Sequence, residues 1–415
     1  MNSMANSVSA RLNIPDSGVR REDAELLTIH RYLPIAAFYF FFNCAGLPVG
    51  YFYTSLLSPL IFVWLYLKGN RWLTTKFLLV LSPFFVAHAL LGISSPLEYL
   101  RTLLHWWTVY IAVYALCWAL MRCPNLERLF EELILLNFCA VTLGILLFPT
   151  PLRVLFWKDT GETIVGTAHL LRLNLLNTEP SAYAELMLPL LLFAAIRALR
   201  DSKLRSTMYL AMIAVPFLLA QSFGGISIGL AGIGIALMTG YRRILRHPKS
   251  LIVFLCLATA TGVVLLIPNP ISARVLQVLA GNDSSTNVRT FLSYLAAYTV
   301  ASAKSLWWGV GLGQAKFVDF SDVVGGMQGM IPNVLSDIFA EFGFMGVMAC
   351  ITAEWYLFFK TKVHLNSFRS AMFAVAFINQ FAGSYGTDVQ QYVIWFLAFY
   401  PCFPDLDLRG EEPQS

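Results

Sequence analysis

The sequence predicts an all-α membrane protein, a polytopic helical bundle of about 12 transmembrane helices with two long external loops. Two observations lead to this fold class. Of the 415 residues, 57% are hydrophobic and only 13% are charged, which is about half the charge of an ordinary soluble domain. The charges also cluster between long apolar runs. This composition argues against a soluble enzyme, a disordered protein and a nucleic-acid-binding protein.

Each predicted span is an apolar run with polar or charged residues on both sides. About 20 apolar residues cross the hydrocarbon layer of a bilayer, and tilted or packed helices use fewer. The predicted spans are residues 32–44, 51–67, 75–93, 100–120, 130–148, 181–198, 208–220, 222–239, 251–267, 334–359, 371–382 and 389–402. Together they form one integral membrane domain over residues 32–403, between tails at 1–31 and 404–415.

Most of the lysines and arginines, 19 of 29, fall in or beside every second predicted loop, which is the pattern of the positive-inside rule. The residues concerned are Arg20, Arg21, Arg31, Lys68, Arg71, Lys76, Arg122, Arg128, Arg197, Arg200, Lys203, Arg205, Arg242, Arg243, Arg246, Lys249, Lys360, Lys362 and Arg369. This alternation predicts an even number of spans and places both terminal tails in the cytoplasm.

Two of the opposite loops are long, at residues 149–180 and 268–333. Loops of such length are uncommon and are usually functional. We expect them to contain short amphipathic helices packed on the bundle. The clearest is TFLSYLAAYTVASA at 290–303, where Phe291, Tyr294, Leu295 and Tyr298 recur with helical spacing.

Several charged residues near the predicted outer face have two interpretations. Glu179 precedes Pro180 at a helix start, where it would either complement the helix dipole or face a cavity at the membrane surface. Asp337 and Glu341 are four residues apart and share a helix face; they lie either in water beyond the membrane or at a functional site. Arg101 either snorkels to the interface or lines an external cleft.

Motifs of soluble catalytic sites and metal sites are missing from the sequence. It contains no Walker, HExxH or GxSxG motif, and no two of its six histidines have the spacing of metal ligands. The sequence therefore predicts neither a metal nor a cofactor.

Four motifs together resemble the O-antigen polymerase and O-antigen ligase superfamily of bacterial envelope glycosyltransferases. They are RLNLLNTEPSAYA, which begins at Arg172; Arg289 at the start of a loop helix; SLWWGVGLGQ; and PNVLSDIFAEFGFMG. The third lacks the proline that usually opens it. In the fourth, Pro332 stands before Asn333 where the ligases usually carry a histidine, and this difference favours a polymerase.

The resemblance implies a GT-C-like enzyme of the bacterial inner membrane. Its donor and acceptor would be oligosaccharides linked to undecaprenyl diphosphate, and a flippase and a chain-length regulator would be its partners. Arg172 and Arg289 would bind the diphosphate leaving group, and Glu179 would be the base that activates the acceptor hydroxyl. The remaining predicted substrate-binding residues are Arg101, His169, Asn333, Asp337 and Glu341.

Two other functions compete with a polymerase. A ligase would transfer finished glycan to a different acceptor. A transporter of lipid-linked sugars would carry charged or broken helices near the bilayer midplane. The concentration of charge in the two outer loops favours chemistry at the membrane surface.

Overall fold

A computed structural model gives the architecture of the chain, and its described part is mostly helical. The structure describes residues 32–37, 39–41, 53–163, 169–201, 203–246, 284–320, 331–383 and 388–408, with a few isolated positions between 251 and 281. The predicted tail at 1–31 and nearly all of the predicted span at 251–267 lie outside this part of the chain.

Twelve α-helices and one β-hairpin are traced in the described residues. The helices are α1 (Tyr53–Leu67), α2 (Leu73–Leu91), α3 (Pro96–Leu120), α4 (Leu126–Leu146), α5 (Pro180–Asp201), α6 (Leu204–Leu219), α7 (Phe223–Arg246), α8 (Ser284–Asn287), α9 (Ser293–Ser302), α10 (Val334–Lys360), α11 (Ser367–Ala382) and α12 (Val389–Phe399). Residues 32–37 and 39–41 are also helical.

Six of the described helices are long and apolar enough to cross a membrane. They are α2, α3, α4, α5, the Phe223–Tyr241 part of α7, and α10. Shorter apolar helices, α6 and α12 among them, accompany these six. The predicted helical membrane architecture is confirmed at this level, whereas the number of spans and the side on which the termini lie stay predictions.

Helix α5 forms the centre of the bundle. In its most apolar stretch 89% of the residues are buried, against 44% or less in the other five long helices. It packs against α6, α7 and α11. Small residues allow α7 to approach closely, since a Cβ added at Gly225 would lie 2.8 Å from the Ala184 methyl group. Such close packing of glycine and alanine is typical of membrane helices.

The first long loop differs from the prediction, because it contains a β-hairpin. A 3₁₀ turn at Pro151–Leu155 leads into β1 (Trp157–Thr163), which pairs antiparallel with β2 (His169–Leu173). Trp157 opposes Leu173, and Lys158 opposes Arg172. We predicted a helix in this loop; the hairpin was missed because β1 is polar and lacks the apolar alternation that marks a strand.

The second long loop contains the expected helix, with an additional π turn. Residues 284–302 run through α8, a π turn at Val288–Leu292 and α9. The face of α9 that packs on α10 is formed by small residues, including Ala297 and Val300, which are fully buried. The aromatic stripe recognised in the sequence faces outward, and Phe291 is its most exposed member.

Three helices meet in a charged network at the end of α5 opposite Pro180. Glu131 of α4 is buried and forms ion pairs with Arg197 of α5 (2.5 Å) and Arg205 of α6 (2.7 Å). The hydroxyl of Tyr209 also donates to Glu131, at 3.2 Å. One buried carboxylate therefore bridges two guanidinium groups, and Arg197 also lies 3.6 Å from Asp201.

We expect Glu131→Gln to destabilise the protein by about 2 kcal/mol, less than the roughly 3–5 kcal/mol of a fully buried pair, because both arginines keep some exposure. The midpoint of thermal unfolding in detergent should fall by several degrees. Glu132→Gln is the matched control, since among the described residues Glu132 forms an ion pair with the exposed Arg128 alone, at 3.4 Å, and such a pair contributes little. If the two variants unfold at the same midpoint temperature, the Glu131 network does not stabilise the protein as expected.

The described residues at the C-terminal end pack on the bundle. The predicted tail at 404–415 includes Leu406 and Leu408, which are almost completely buried, and Leu408 lies directly over Gly240 of α7.

Arg369 of α11 donates to the carbonyl oxygens of Ala398 (2.9 Å) and Phe399 (3.0 Å) at the end of α12. These bonds satisfy backbone acceptors that a helix end leaves open.

Candidate functional site

Carboxylates from the start of α5 form the centre of the candidate site. Pro180 opens α5, and Glu179 stands just before it, exposed to solvent, with the Ser181 hydroxyl donating to its carboxylate at 3.0 Å. Glu185 lies on α5 less than two turns further along and is buried. The site therefore has one carboxylate at the surface and a second one behind it.

A strained turn fixes the position of Glu179. Leu175 and Leu176 adopt left-handed backbone angles, with φ of 45° and 66°, which cost energy in residues other than glycine. Asn174 and Asn177 hold the turn, because each side-chain amide donates to the other residue's carbonyl oxygen, at 2.7 and 3.0 Å. Strain of this kind is often found beside functional sites.

Residues distant in sequence surround the buried carboxylate. The Gln390 side chain of α12 donates to Glu185 at 3.5 Å. Arg289, Asp388 and Glu179 lie near enough to interact electrostatically with Glu185. Arg289 is half-buried and is the cation among these groups, so it offsets the negative charge of the carboxylates around it.

Arg289 lies in the π turn, and Asn333 holds that turn in place. The buried Asn333 amide donates to the Arg289 carbonyl oxygen at 3.0 Å and also to the Phe381 carbonyl oxygen. Its own oxygen accepts from the Ser336 N–H at 3.1 Å, so Asn333 is the N-cap of α10. Isolated π turns in helices are frequent at functional sites.

The starts of three helices converge at this cluster. Pro180 opens α5, Asn333 caps α10, and Asp388 stands at the N-cap position of α12. Helix N-termini carry partial positive charge and unpaired N–H groups, which favour anions. These N-termini and Arg289 are the positive elements at this end of the bundle, and they lie among the carboxylates of Glu179, Glu185 and Asp388.

Arg172 lies on the hairpin and contacts a different element. Its guanidinium is buried, and Nε donates to the Ala220 carbonyl oxygen at the end of α6, at 3.0 Å. Arg172 thereby attaches β2 to the bundle. His169 belongs to the same strand, opposite Thr163, but its side chain lies outside the described residues.

The two glycine-containing motifs meet at a break in α10. Gly343 has φ of 65° and ψ of −164°, which interrupts the helix. The segment 306–311, which begins with a turn, fills the interruption: Val310 and Gly311 donate to the Ala340 and Glu341 carbonyl oxygens, both at 3.0 Å, and Phe344 donates to the Leu306 carbonyl oxygen at 2.9 Å. Backbone groups released by the broken helix are thus satisfied by this loop.

Glu341 and His88 fasten the loop on both sides. The buried Glu341 carboxylate accepts from the Gly313 N–H at 2.7 Å. His88 of α2 is also buried and bonds to the Trp308 carbonyl oxygen and to the Tyr99 hydroxyl, each at 2.9 Å. Glu341 therefore lies inside the protein and not in water, and its neighbour Asp337 is half-buried and electrostatically coupled to it.

Arg101 belongs to another charged group. It is exposed and lies 3.6 Å from Glu98, which also pairs with Lys316 at 2.7 Å. Nearby, the Lys304 ammonium donates to the Gly92 carbonyl oxygen at 2.6 Å, and burial lowers the pKa of Lys304. Among the ion pairs of described residues, none joins Arg101 to the carboxylates of α5.

The structure thus brings Glu179, Arg289 and Asn333 around one centre, and it places Arg172, Glu341 and Arg101 in three other surroundings. Sequence reasoning missed Glu185, Asp388 and Gln390. A signal for Glu185 was available, since an acid inside an apolar span tends to mark function. In the part of the chain that the structure describes, no group of three or more His, Cys, Asp or Glu residues could hold a metal ion.

No protein-family model matches the chain, and no characterised protein matches its sequence. The resemblance drawn from the four motifs is therefore a prediction that these comparisons do not test.

Proposed function

We propose that this chain is a glycosyltransferase that polymerises oligosaccharide repeat units carried on undecaprenyl diphosphate, at the outer face of a bacterial inner membrane. The observation that carries the proposal is the convergence of Arg289, the exposed Glu179 and three helix N-termini. This combination offers a base beside an anion-binding surface. Transfer of a sugar from a lipid diphosphate needs both.

The proposed reaction is a direct displacement. The acceptor hydroxyl oxygen attacks the anomeric carbon of the donor sugar and forms the new glycosidic bond, while its proton passes to Glu179. The bond from the anomeric carbon to the diphosphate oxygen breaks, and undecaprenyl diphosphate leaves with the electron pair. Such a reaction inverts the anomeric centre and needs no protein nucleophile.

The remaining residues have supporting parts in this proposal. Arg289 stabilises the charge that develops on the leaving diphosphate. Glu185 lies near enough to interact electrostatically with the Arg289 guanidinium, and Asn333 fixes the turn that carries Arg289. Arg172 already uses Nε to attach the hairpin to α6, so we assign the main phosphate contact to Arg289 and a secondary one to Arg172.

The experiment uses purified protein in vesicles with a native lipid-linked repeat unit and no other acceptor. A ladder of repeat-unit multiples is expected from the wild-type protein. An unchanged band with the native donor would overturn the polymerase proposal, and adding a non-polyprenyl acceptor would then test a ligase.

Glu179→Gln is expected to lower the rate of polymer formation by about 100-fold, the lower range for loss of a general base, and to leave donor binding nearly unchanged. Asp159→Asn is the matched control, since Asp159 is an exposed acid in the same loop. Wild-type rates in both variants would show that Glu179 is not the base.

One observation favours a transporter of lipid-linked sugars as the second candidate. Helix α10 is broken at Gly343, with the buried Glu341 beside the break, and transporters commonly carry such interrupted helices. A transporter would move a labelled lipid-linked sugar across vesicles without changing its size. That result, in the absence of a ladder, would replace the first proposal by the second.

A further inference from the structure

A cavity lies between α2, α3 and α12. Its volume is about 300 Å³, roughly twice that of an engineered protein cavity that binds benzene. Phe77 of α2 and Tyr110 of α3 stack in its wall, with ring centres 5.3 Å apart. Trp106 and Tyr392 complete the aromatic lining.

The cavity is open toward the outside of the helix bundle. Val80 lines it and is 72% exposed, and its neighbour Leu79 is 70% exposed. Because α2 is one of the apolar helices long enough to cross a membrane, this exposed surface faces lipid hydrocarbon. A hydrocarbon chain from the bilayer therefore has direct access to the cavity.

Lys76 provides the single charge among the residues that line the cavity. It lies in the first turn of α2, beside the α1–α2 loop that carries Lys68 and Arg71. Within the described part of the chain, none of these three cations forms an ion pair. A cavity with a positively charged end and an apolar interior suits an amphiphile with a negative head group.

We propose that this cavity binds an anionic phospholipid, with one acyl chain between α2, α3 and α12 and the phosphate at Lys76. The positive charge of the α1–α2 loop places the head group in the cytoplasmic leaflet, where anionic lipids attract basic residues next to membrane helices. A zwitterionic lipid would fill the apolar part equally well but would gain less from the three cations. The proposal is independent of the glycosyltransferase function.

Native mass spectrometry of the full-length protein in detergent tests the proposal, with phosphatidylglycerol and phosphatidylcholine titrated separately. The wild-type protein is expected to bind one phosphatidylglycerol at least about fivefold more tightly than phosphatidylcholine, the factor that corresponds to about 1 kcal/mol per cation at a membrane surface. Lys76→Gln should clearly reduce this preference, because it removes the cation assigned to the phosphate. Lys203→Gln should retain it, since Lys203 is an exposed lysine of another basic loop.

A second variant tests the apolar part of the cavity without disturbing the core. Val80→Trp places a large side chain at an exposed position of the opening, and we expect it to weaken binding of both lipids. Equal affinity for the two lipids in the wild type, or an unchanged preference in Lys76→Gln, would overturn the head-group assignment. Unchanged binding in Val80→Trp would show that the lipid does not bind in this cavity.

Discussion

Polymer formation is expected to fall at least about 100-fold when Arg289 is replaced by alanine, the loss typical of removing one group that stabilises transition-state charge. Arg289 is the cation beside Glu185 and lies where three helix N-termini converge. Its guanidinium is half-buried and its backbone is held by Asn333. The helix should therefore persist without the side chain, and the loss should concern turnover.

Two further variants show whether the shape of the Arg289 guanidinium matters in addition to its charge, and whether the effect is specific to this arginine. Arg289→Lys keeps the positive charge but loses the planar fork that binds two phosphate oxygens together, so partial activity is expected. Arg153→Ala removes an exposed arginine from the first long loop and should leave the product ladder unchanged. If Arg289→Ala forms the ladder at the wild-type rate, the diphosphate does not bind at this site.

The largest loss of stability is expected for Gly343→Ala. At φ of 65° and ψ of −164° the backbone adopts a conformation that is essentially restricted to glycine, and another residue pays about 1–3 kcal/mol for it. A Cβ there would also collide with the backbone of Trp307 and Trp308. We expect little folded protein in fluorescence-detected size-exclusion chromatography and a clearly lower unfolding temperature.

The control for this variant is Gly234→Ala in α7, where a Cβ would meet no atom within 4 Å. Alanine favours a helix over glycine by about 0.5–1 kcal/mol, so this control should be neutral or slightly more stable. Gly309→Ala should behave like Gly343→Ala, because its Cβ would enter the backbone of Glu341 and Phe342 from the other side. Wild-type unfolding temperatures in both would mean that the loop and α10 do not approach so closely.

The sequence predicted most of the described helices, because each of them contains a long apolar run. Such runs are typical of helices buried in a membrane or in a protein core. It predicted much less of the site, because the partners of Glu185 lie in other parts of the chain: Gln390 is 205 residues away. Periodicity within one helix carries no information about such a partner. Glu185 itself is visible in the sequence as an acid within an apolar run, and such acids tend to mark function.

The two glycine-containing motifs are a second case in which the sequence does not identify the partner. Nothing in their spacing says which backbone each glycine approaches. The structure pairs Gly309 with Glu341 and Gly343 with Trp307. Likewise, the outward aromatic stripe of α9 was recognised from its spacing, whereas the buried alanine face that packs on α10 has no strong pattern.

The 205-residue separation between Glu185 and Gln390 has a consequence for how the protein is made. At synthesis rates of about 5–20 residues per second, α5 leaves the ribosome roughly 10–40 s before its partner on α12. During that interval the central helix carries an acid whose native partners Arg289 and Gln390 do not yet exist. During synthesis there is therefore a period in which insertion machinery or a chaperone would have to protect α5. If translation ended before α12, the incomplete protein would be a substrate for proteolysis.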